Sequence, residues 1–222
     1  MELLKNTIST IVVSLAVYMG GTAVAQNMTP TKVDAEDVIN MLNFAGYNLY
    51  SFDTRSIKFD KQKDRNCKVK FKAYLYERGK EPKRIEEFTR VVGVQNYAPE
   101  KLIVGSRRVK NDSVINVYTN AYGFMSQWAE LKLRPTEYEG EKYVGRALQL
   151  DKYDVMTLQF DEQKFENGGF TPLMLIYPPY KGEDGFYRFC VWEGAFDAKM
   201  DNRVFEYLDW WYVVGVEIKI KE

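Results

Sequence analysis

The sequence has 222 residues with 31 basic and 31 acidic side chains, so its net charge is zero. Nucleic-acid binding ordinarily needs a basic excess and an anionic membrane surface needs a polybasic patch, so neither partner is expected. The sequence contains no histidine, which excludes Ser-His-Asp and Cys-His catalytic sites and removes the commonest nitrogen ligand of zinc and copper. We therefore expect no metal and no cofactor, and an enzyme is the less favoured class of protein.

The first 25 residues have the pattern of a secretory signal peptide. Lys5 gives a positive start, an apolar segment follows at 11–19, and Ala23-Val24-Ala25 is a small-x-small cleavage pattern. The apolar segment is much shorter than the roughly 20 residues that cross a bilayer, which disfavours a retained anchor. Cleavage before Gln26 is predicted to leave one exported domain, residues 26–222, in the periplasm or outside the cell and without membrane insertion.

One helix is predicted at 34–45, at the start of the mature chain. Asp34 suits the N-cap position, apolar residues then recur at helical spacing, and Gly46 stands where a C′ glycine belongs. The apolar positions are Val38, Met41, Leu42 and Ala45.

After Gly46, apolar and polar residues alternate as they do in half-buried strands. Short turns join these segments and no crossover helix separates them, which favours antiparallel pairing. We expect a mainly β protein, an antiparallel β-sandwich with an N-terminal α-helix. A closed or partly closed barrel is the alternative, because strand count and spacing do not distinguish closure from stacking. Strands are predicted at 68–75, 88–94, 102–109, 114–119, 125–134, 143–150, 155–160, 173–177, 186–192 and 212–220, with a short helix at 202–207.

Three tryptophans are predicted to project from polar strand faces. Trp128 and Glu130 are two positions apart, so they lie on the same face of their strand. By the same alternation, Trp192 and Trp211 share a strand face with polar residues. A rigid aromatic on an exposed sheet face can hold a sugar ring or a partner's apolar anchor, because its flat face buries area at little entropic cost. The alternative is that helices and loops cover these faces and the rings form a second core layer.

The segment 177–187 is the most distinctive loop, with two prolines, two acids and several aromatic residues. It is either a ligand-gripping loop, with Tyr180 as a fourth candidate ligand-binding residue, or a long hairpin connection whose prolines protect strand ends. Glu183 and Asp184 are weak candidates for calcium, because no carboxylates follow at alternate positions.

The two cysteines, Cys67 and Cys190, are predicted to be free thiols. An exported location permits a disulfide. However, the alternation of apolar and polar residues places Cys67 on the core face of its strand, whereas Cys190 lies on the same strand face as Arg188. A disulfide needs Cα atoms within roughly 7 Å with converging side chains, and opposite faces make this harder.

Seven short motifs distributed over the mature chain carry a family resemblance. They are Pro-Thr-Lys-Val at 30–33, Asp-Val at 37–38, Gly-Tyr-Asn at 46–48, Tyr-Ser-Phe-Asp at 50–53, Leu-Lys-Leu-Arg-Pro at 131–135, Phe-Tyr-Arg-Phe-Cys at 186–190 and Tyr-Val-Val-Gly-Val-Glu at 212–217. Together they resemble a family of uncharacterised secreted proteins from Bacteroides-type gut bacteria. The resemblance implies a diderm host and a periplasmic or released protein, and it carries no catalytic motif.

The function that these observations favour is a non-enzymatic periplasmic or secreted binding protein whose ligand is a carbohydrate or another protein. Sugar is suggested by the aromatic richness and by the lifestyle that the resemblance implies. A carboxylate-pair glycan hydrolase is the first alternative, since such enzymes need only two suitably placed acids. A structural or assembly component that joins partners through an uncovered sheet edge is the second.

Overall fold

The computed structural model describes residues 35–60, 62–109, 112–123, 125–138, 151–188, 196–197 and 199–221. The chain divides into two compact units, Met1–Val38 and Ile39–Glu222. The elements in chain order are α1 (Ala35–Phe44), β1 (Tyr47–Asp53), β2 (Asn66–Glu77), β3 (Lys83–Arg84), a first 3-10 helix (Glu86–Phe88), β4 (Arg90–Gln95), β5 (Lys101–Arg108), β6 (Val114–Ala121), β7 (Met125–Lys132), β8 (Met156–Gln159), β9 (Phe170–Tyr177), β10 (Tyr180–Lys181), β11 (Tyr187–Arg188), a second 3-10 helix (Arg203–Glu206) and β12 (Trp210–Lys221).

The predicted helix is confirmed as α1, and its end follows the predicted chemistry. Gly46 has a φ of +81° and donates its N–H to the carbonyl of Asn43 at 3.0 Å. A Cβ at Gly46 would lie 2.7 Å from the carbonyl oxygen of Arg108, so both backbone conformation and space require glycine. No residue of α1 is buried, and Phe44 is 94% exposed. The predicted cap, Asp34, lies outside the described residues.

Two antiparallel sheets form the body of the second unit. The small sheet has the strand order β1-β5-β6-β7, and the large sheet has the order β3-β2-β12-β9-β8 with β4 also paired to β2. The described strands do not close into a barrel. The prediction of an antiparallel β-sandwich with an N-terminal helix is therefore confirmed, and the barrel alternative is wrong.

The main core lies between the two sheets, and alternate residues of the strands project into it. Odd positions of β2, such as Phe71, and even positions of β12, such as Val214, are buried together. The small sheet contributes Leu102, Val117 and Leu131 to the same cluster. Apolar side chains removed from water on both inner faces provide the main favourable free energy of this arrangement.

A second apolar layer covers part of the outer face of the large sheet. Val213 and Tyr177 project outward and pack with Phe196 and with Val204 of the second 3-10 helix. Asn202 caps that helix by accepting the N–H of Val204 at 2.9 Å. This is the second core layer that the sequence left as an alternative.

Most predicted strands lie within two residues of the observed ones. The segment 143–150 lies outside the described residues, and of 186–192 the structure describes only β11 as strand. The strands β1, β3 and β10 are additional, and the short helix at 202–207 is the second 3-10 helix.

Within the described ranges, no helix is long and apolar enough to span a membrane.

Candidate functional site

A groove of about 740 Å³ lies between strand β7 and the segment that contains β3 and the first 3-10 helix. We name it the Trp128 groove. β7 is an edge strand of the small sheet, and residues 128–134 line the groove consecutively, so it follows the strand edge. The opposite wall is formed by Lys83, Ile85 and Glu87, with Leu75 and Tyr212 between them.

The indole ring of Trp128 is held in a fixed position in this groove. Tyr118 of β6 stands directly opposite it in the ladder, and the two ring centroids are 5.1 Å apart. Tyr118 is itself fixed, because its hydroxyl accepts a hydrogen bond from the Asn120 side chain at 3.0 Å. Cross-strand aromatic pairs stabilise a sheet and restrict both rings. Trp128 nevertheless remains 56% exposed, so the predicted outward position is confirmed and much of the indole is open.

Both signs of charge line the Trp128 groove. Lys83 and Glu87 contribute from one wall, and Glu130 and Lys132 from the other. None of these four side chains forms an ion pair with another described residue. The groove therefore offers an aromatic surface together with hydrogen-bond donors and acceptors that are free to engage a ligand.

The end and the floor of the groove are fixed by hydrogen bonds between the sheets. Tyr212 donates its hydroxyl to the carbonyl of Lys132 at 2.7 Å, and burial raises the pKa of Tyr212. Arg134 binds both carboxylate oxygens of Glu77, at 2.6 and 3.0 Å. Hydrogen bonds from Lys80 and then from Arg134 lower the pKa of Glu77, so this carboxylate stays ionised at neutral pH.

Trp211 does not line the groove and belongs to the second core layer. It is partly buried, stacks on Tyr76 with a centroid distance of 5.4 Å, and packs against Phe205 at 5.1 Å. Strand parity placed it correctly on the outer face, which the second 3-10 helix and its neighbours then cover. Trp192 lies outside the described residues.

Tyr180 lines a different and smaller cavity of about 360 Å³. Pro178 and Pro179 form one wall, and Tyr207 stacks on Tyr180 with a centroid distance of 6.2 Å. Tyr180 is only 9% exposed, so most of its ring is already in contact with protein. The structure therefore separates Trp128, in its open groove, from Tyr180 and Trp211, which both belong to the second apolar layer.

The loop that follows Tyr180 is a tight hairpin between β10 and β11. Its acids bind arginine: Asp184 accepts from Arg188 at 3.0 Å, and Glu183 pairs with Arg203. The hydrogen bond from Arg188 is the largest cause that lowers the pKa of Asp184. In the part of the chain that the structure describes, no group of three or more Cys, Asp and Glu side chains is placed to hold a metal ion.

A third cavity, also about 360 Å³, opens between β1 and the segment that follows β8. Its rim carries Asp53, Asp161 and Glu162. A hydrogen bond from Arg55 is the main cause that lowers the pKa of Asp53 to about 2, so this carboxylate is held in its ionised form. Acid–base work by a glycan hydrolase needs one carboxyl group with a raised pKa, which Asp53 does not have.

Cys67 is a free, fully buried thiol on the core face of β2. Burial raises the pKa of this thiol. Its core position agrees with the predicted parity, whereas Cys190 lies outside the described residues.

The sequence identified one residue of the groove and left out its partners. Glu130, Lys132 and Arg134 share the parity of Trp128 on the same strand, so the alternation that singled out the tryptophan also marked them. Lys83 and Glu87 had no such signal. They reach the groove only because the two sheets pack against each other, which strand periodicity does not encode.

No curated protein and no solved structure matched the chain. A family model described as Domain of unknown function (DUF5041) matches residues 18–220, nearly the whole sequence. The chain therefore belongs to this family of unknown function, DUF5041.

Proposed function

We propose that the protein is a non-enzymatic binding protein of the periplasm or the cell exterior, and that the Trp128 groove is its ligand site. The observation that carries the proposal is the fixed but 56% exposed indole of Trp128 inside a groove of about 740 Å³. A large aromatic ring that is held in place on one side and open on the other binds a flat ligand at low entropic cost. The signal-peptide pattern supports the location.

A carbohydrate is the ligand class that we favour. A sugar ring presents an apolar C–H face and a rim of hydroxyl groups, which match an indole bordered by charged hydrogen-bonding side chains. Glu87, Glu130, Lys83 and Lys132 line the same groove as the indole and have no ion pair among the described residues. They are suited to accept from and donate to hydroxyl groups.

A glycan array probed with the purified protein and with Trp128→Ala tests this proposal. We expect one or a few related glycans to bind the wild type and to lose most of their signal with Trp128→Ala. Phe44→Ala is the matched control, because it removes another exposed aromatic ring at a distance in sequence from the groove. Equal signals for Trp128→Ala and the wild type would overturn the assignment of the groove.

A protein partner is the second candidate, and it is favoured by the edge position of β7, which pairs with β6 alone among the described strands. An extended segment of a partner can add to an edge strand through backbone hydrogen bonds while its side chains enter the adjoining groove. A pull-down of periplasmic proteins that succeeds with the wild type and fails with Trp128→Ala, together with a silent glycan array, would select this function over sugar binding.

Glycan hydrolysis is the alternative that the electrostatics favour least. Four carboxyl groups in the described part of the chain have displaced pKa values, and all four are lowered by hydrogen bonds from Lys or Arg. A general acid requires the opposite displacement. Glu87→Gln and Glu130→Gln give the test: a bound glycan that the wild type cleaves and either variant leaves intact would make the protein an enzyme.

A further inference from the structure

The outer face of the large sheet carries a second feature, which is a cluster of lysines at the end of the β2–β12 ladder. Even positions of β2 and odd positions of β12 project to this face, opposite to the buried core positions. We name the cluster the lysine face. Its members are Lys68, Lys70, Lys72, Lys219 and Lys221.

The pairing register places like charges directly opposite each other. Lys68 faces Lys219 across the ladder, and Lys70 faces Glu217. Side chains at directly opposite positions are neighbours, and like charges at such positions destabilise a sheet. The fold thus accepts a repulsive pair at this face, although the whole sequence contains as many acids as bases.

Acidic side chains neutralise little of this charge. Glu217 pairs with Lys72, and that pair is largely shielded from solvent. The hydrogen bond from Lys72 is the largest cause that lowers the pKa of Glu217, and the charges of Lys70 and Lys219 lower it further, so all three ammonium groups lie close to one carboxylate. Neither Lys68, Lys70 nor Lys219 forms an ion pair with a side chain that the structure describes.

The aromatic side chains next to the lysines are engaged with each other. Tyr74 packs edge-to-face on Phe170 at a centroid distance of 4.9 Å, and Tyr76 stacks on Trp211. Single-stranded nucleic acids are held by open aromatic faces on which bases stack, and these rings are already partnered. The face offers fixed positive charge without such a platform.

We propose that the lysine face binds an acidic polysaccharide through the carboxylate or sulfate groups of its sugars. Lys68 to Lys72 span about 13 Å along β2, which gives a flat and short row of cations next to those of β12. A polyanion with charges on successive sugars would relieve the repulsion between Lys68 and Lys219 when it binds. The inference is independent of the Trp128 groove, because none of these five lysines lines that groove.

Binding of the purified protein to polygalacturonate, dextran sulfate and uncharged dextran tests the proposal. We expect the protein to bind polygalacturonate or dextran sulfate at low salt, to lose this binding as salt rises, and not to bind dextran. The double variant Lys68→Gln/Lys219→Gln should weaken the affinity by roughly tenfold or more, which corresponds to about 1.4 kcal/mol. Removal of two repelling charges does not threaten the fold, and a thermal melt confirms that the variant is folded.

The matched control is Lys101→Gln/Lys199→Gln, which removes two exposed lysines elsewhere and changes the net charge by the same amount. This control should bind polyanions as the wild type does. Equal losses in the two double variants would mean that net charge, not this face, is responsible, and would overturn the proposal. Failure to bind either acidic polysaccharide, or tighter binding of single-stranded DNA that depends on Lys68 and Lys219, would overturn it as well.

Discussion

Trp128 differs from the other described tryptophans in how much of its ring is open to solvent. Because it is exposed, Trp128→Ala should change the free energy of unfolding by no more than about 1 kcal/mol, whereas the same change at a core tryptophan costs about 3–5 kcal/mol. Trp210 is only 5% exposed and provides the comparison. Urea denaturation of both variants measures the difference. A loss of several kcal/mol for Trp128→Ala would place the indole in a covered layer, and Tyr180 would be the next residue to test.

The two cysteines, Cys67 and Cys190, are expected to be free thiols. Titration with a thiol reagent under denaturing, non-reducing conditions should give two thiols per chain. In the native protein Cys67 should react slowly, because it is fully buried and burial raises its pKa. Fewer than one reactive thiol per denatured chain would show that Cys67 and Cys190 are paired.

Glu217 should contribute to the acid dependence of stability. Its pKa is lowered in the folded protein, so the contribution is fully present above the unfolded value of about 4.3 and is lost as the pH falls through the folded pKa. Glu217→Gln should therefore flatten the fall in the free energy of unfolding at acid pH. Glu162→Gln, which removes an exposed carboxylate, is the control. If the free energy of unfolding of Glu217→Gln falls at acid pH as it does in the wild type, the bond between Glu217 and Lys72 does not affect stability.

At the scale of elements, the pairing of β2 with β12 predicts a substitution that stabilises the protein, whereas most substitutions destabilise it. Lys68→Gln removes a like-charge pair with Lys219, so the free energy of unfolding should rise by about 0.2–1 kcal/mol at low salt. Lys101 instead faces Asp53 in the β1–β5 ladder, so Lys101→Gln should leave stability unchanged or lower it. Chemical denaturation at low and high salt measures both. A loss of stability in Lys68→Gln would show that its aliphatic stem matters more than its charge.

The sequence predicted those strands in which one face is buried and the other solvated. β2 alternates along its length because the core covers one of its faces, and β12 alternates in its last part, from Val216 to Lys221. Between Tyr212 and Val216, β12 is buried on both faces. β1 carries apolar residues on both faces, and its Leu49 is exposed, so its pattern does not stand out. β3 and β10 are two residues long, which is too short to show an alternation of apolar and polar residues.

The candidate site was predictable only in part for a related reason. Parity states on which face of a sheet a side chain lies, and it was right for Trp128 and Trp211 alike. It does not state what covers that face. The second 3-10 helix and its neighbours cover Trp211, whereas the groove beside β7 leaves Trp128 open. The contribution of Lys83 and Glu87 depends on the packing of two sheets, which is a property of the tertiary structure.

At the scale of the whole molecule, a neutral chain concentrates its charge locally. The sequence has equal numbers of acids and bases, yet the outer face of the described β2–β12 ladder carries five lysines and one glutamate. The net charge therefore does not describe the local charge of this face. An acidic polysaccharide on the lysine face and a second ligand in the Trp128 groove would together suit a protein that works outside the cytoplasm, where such polymers occur.

The proposed location gives the last prediction, which is cleavage between Ala25 and Gln26. The small residues Ala23 and Ala25 fit the positions that signal peptidase reads, and a polar segment follows. Intact mass and N-terminal sequencing of the protein exported by a diderm host should give a chain that begins at Gln26. Ala25→Glu should block processing, because a large charged side chain does not fit the small-residue position. A mature species that retains residues 11–19 would contradict export as a cleaved protein, and the search for ligands would then move to the cytoplasm or the membrane.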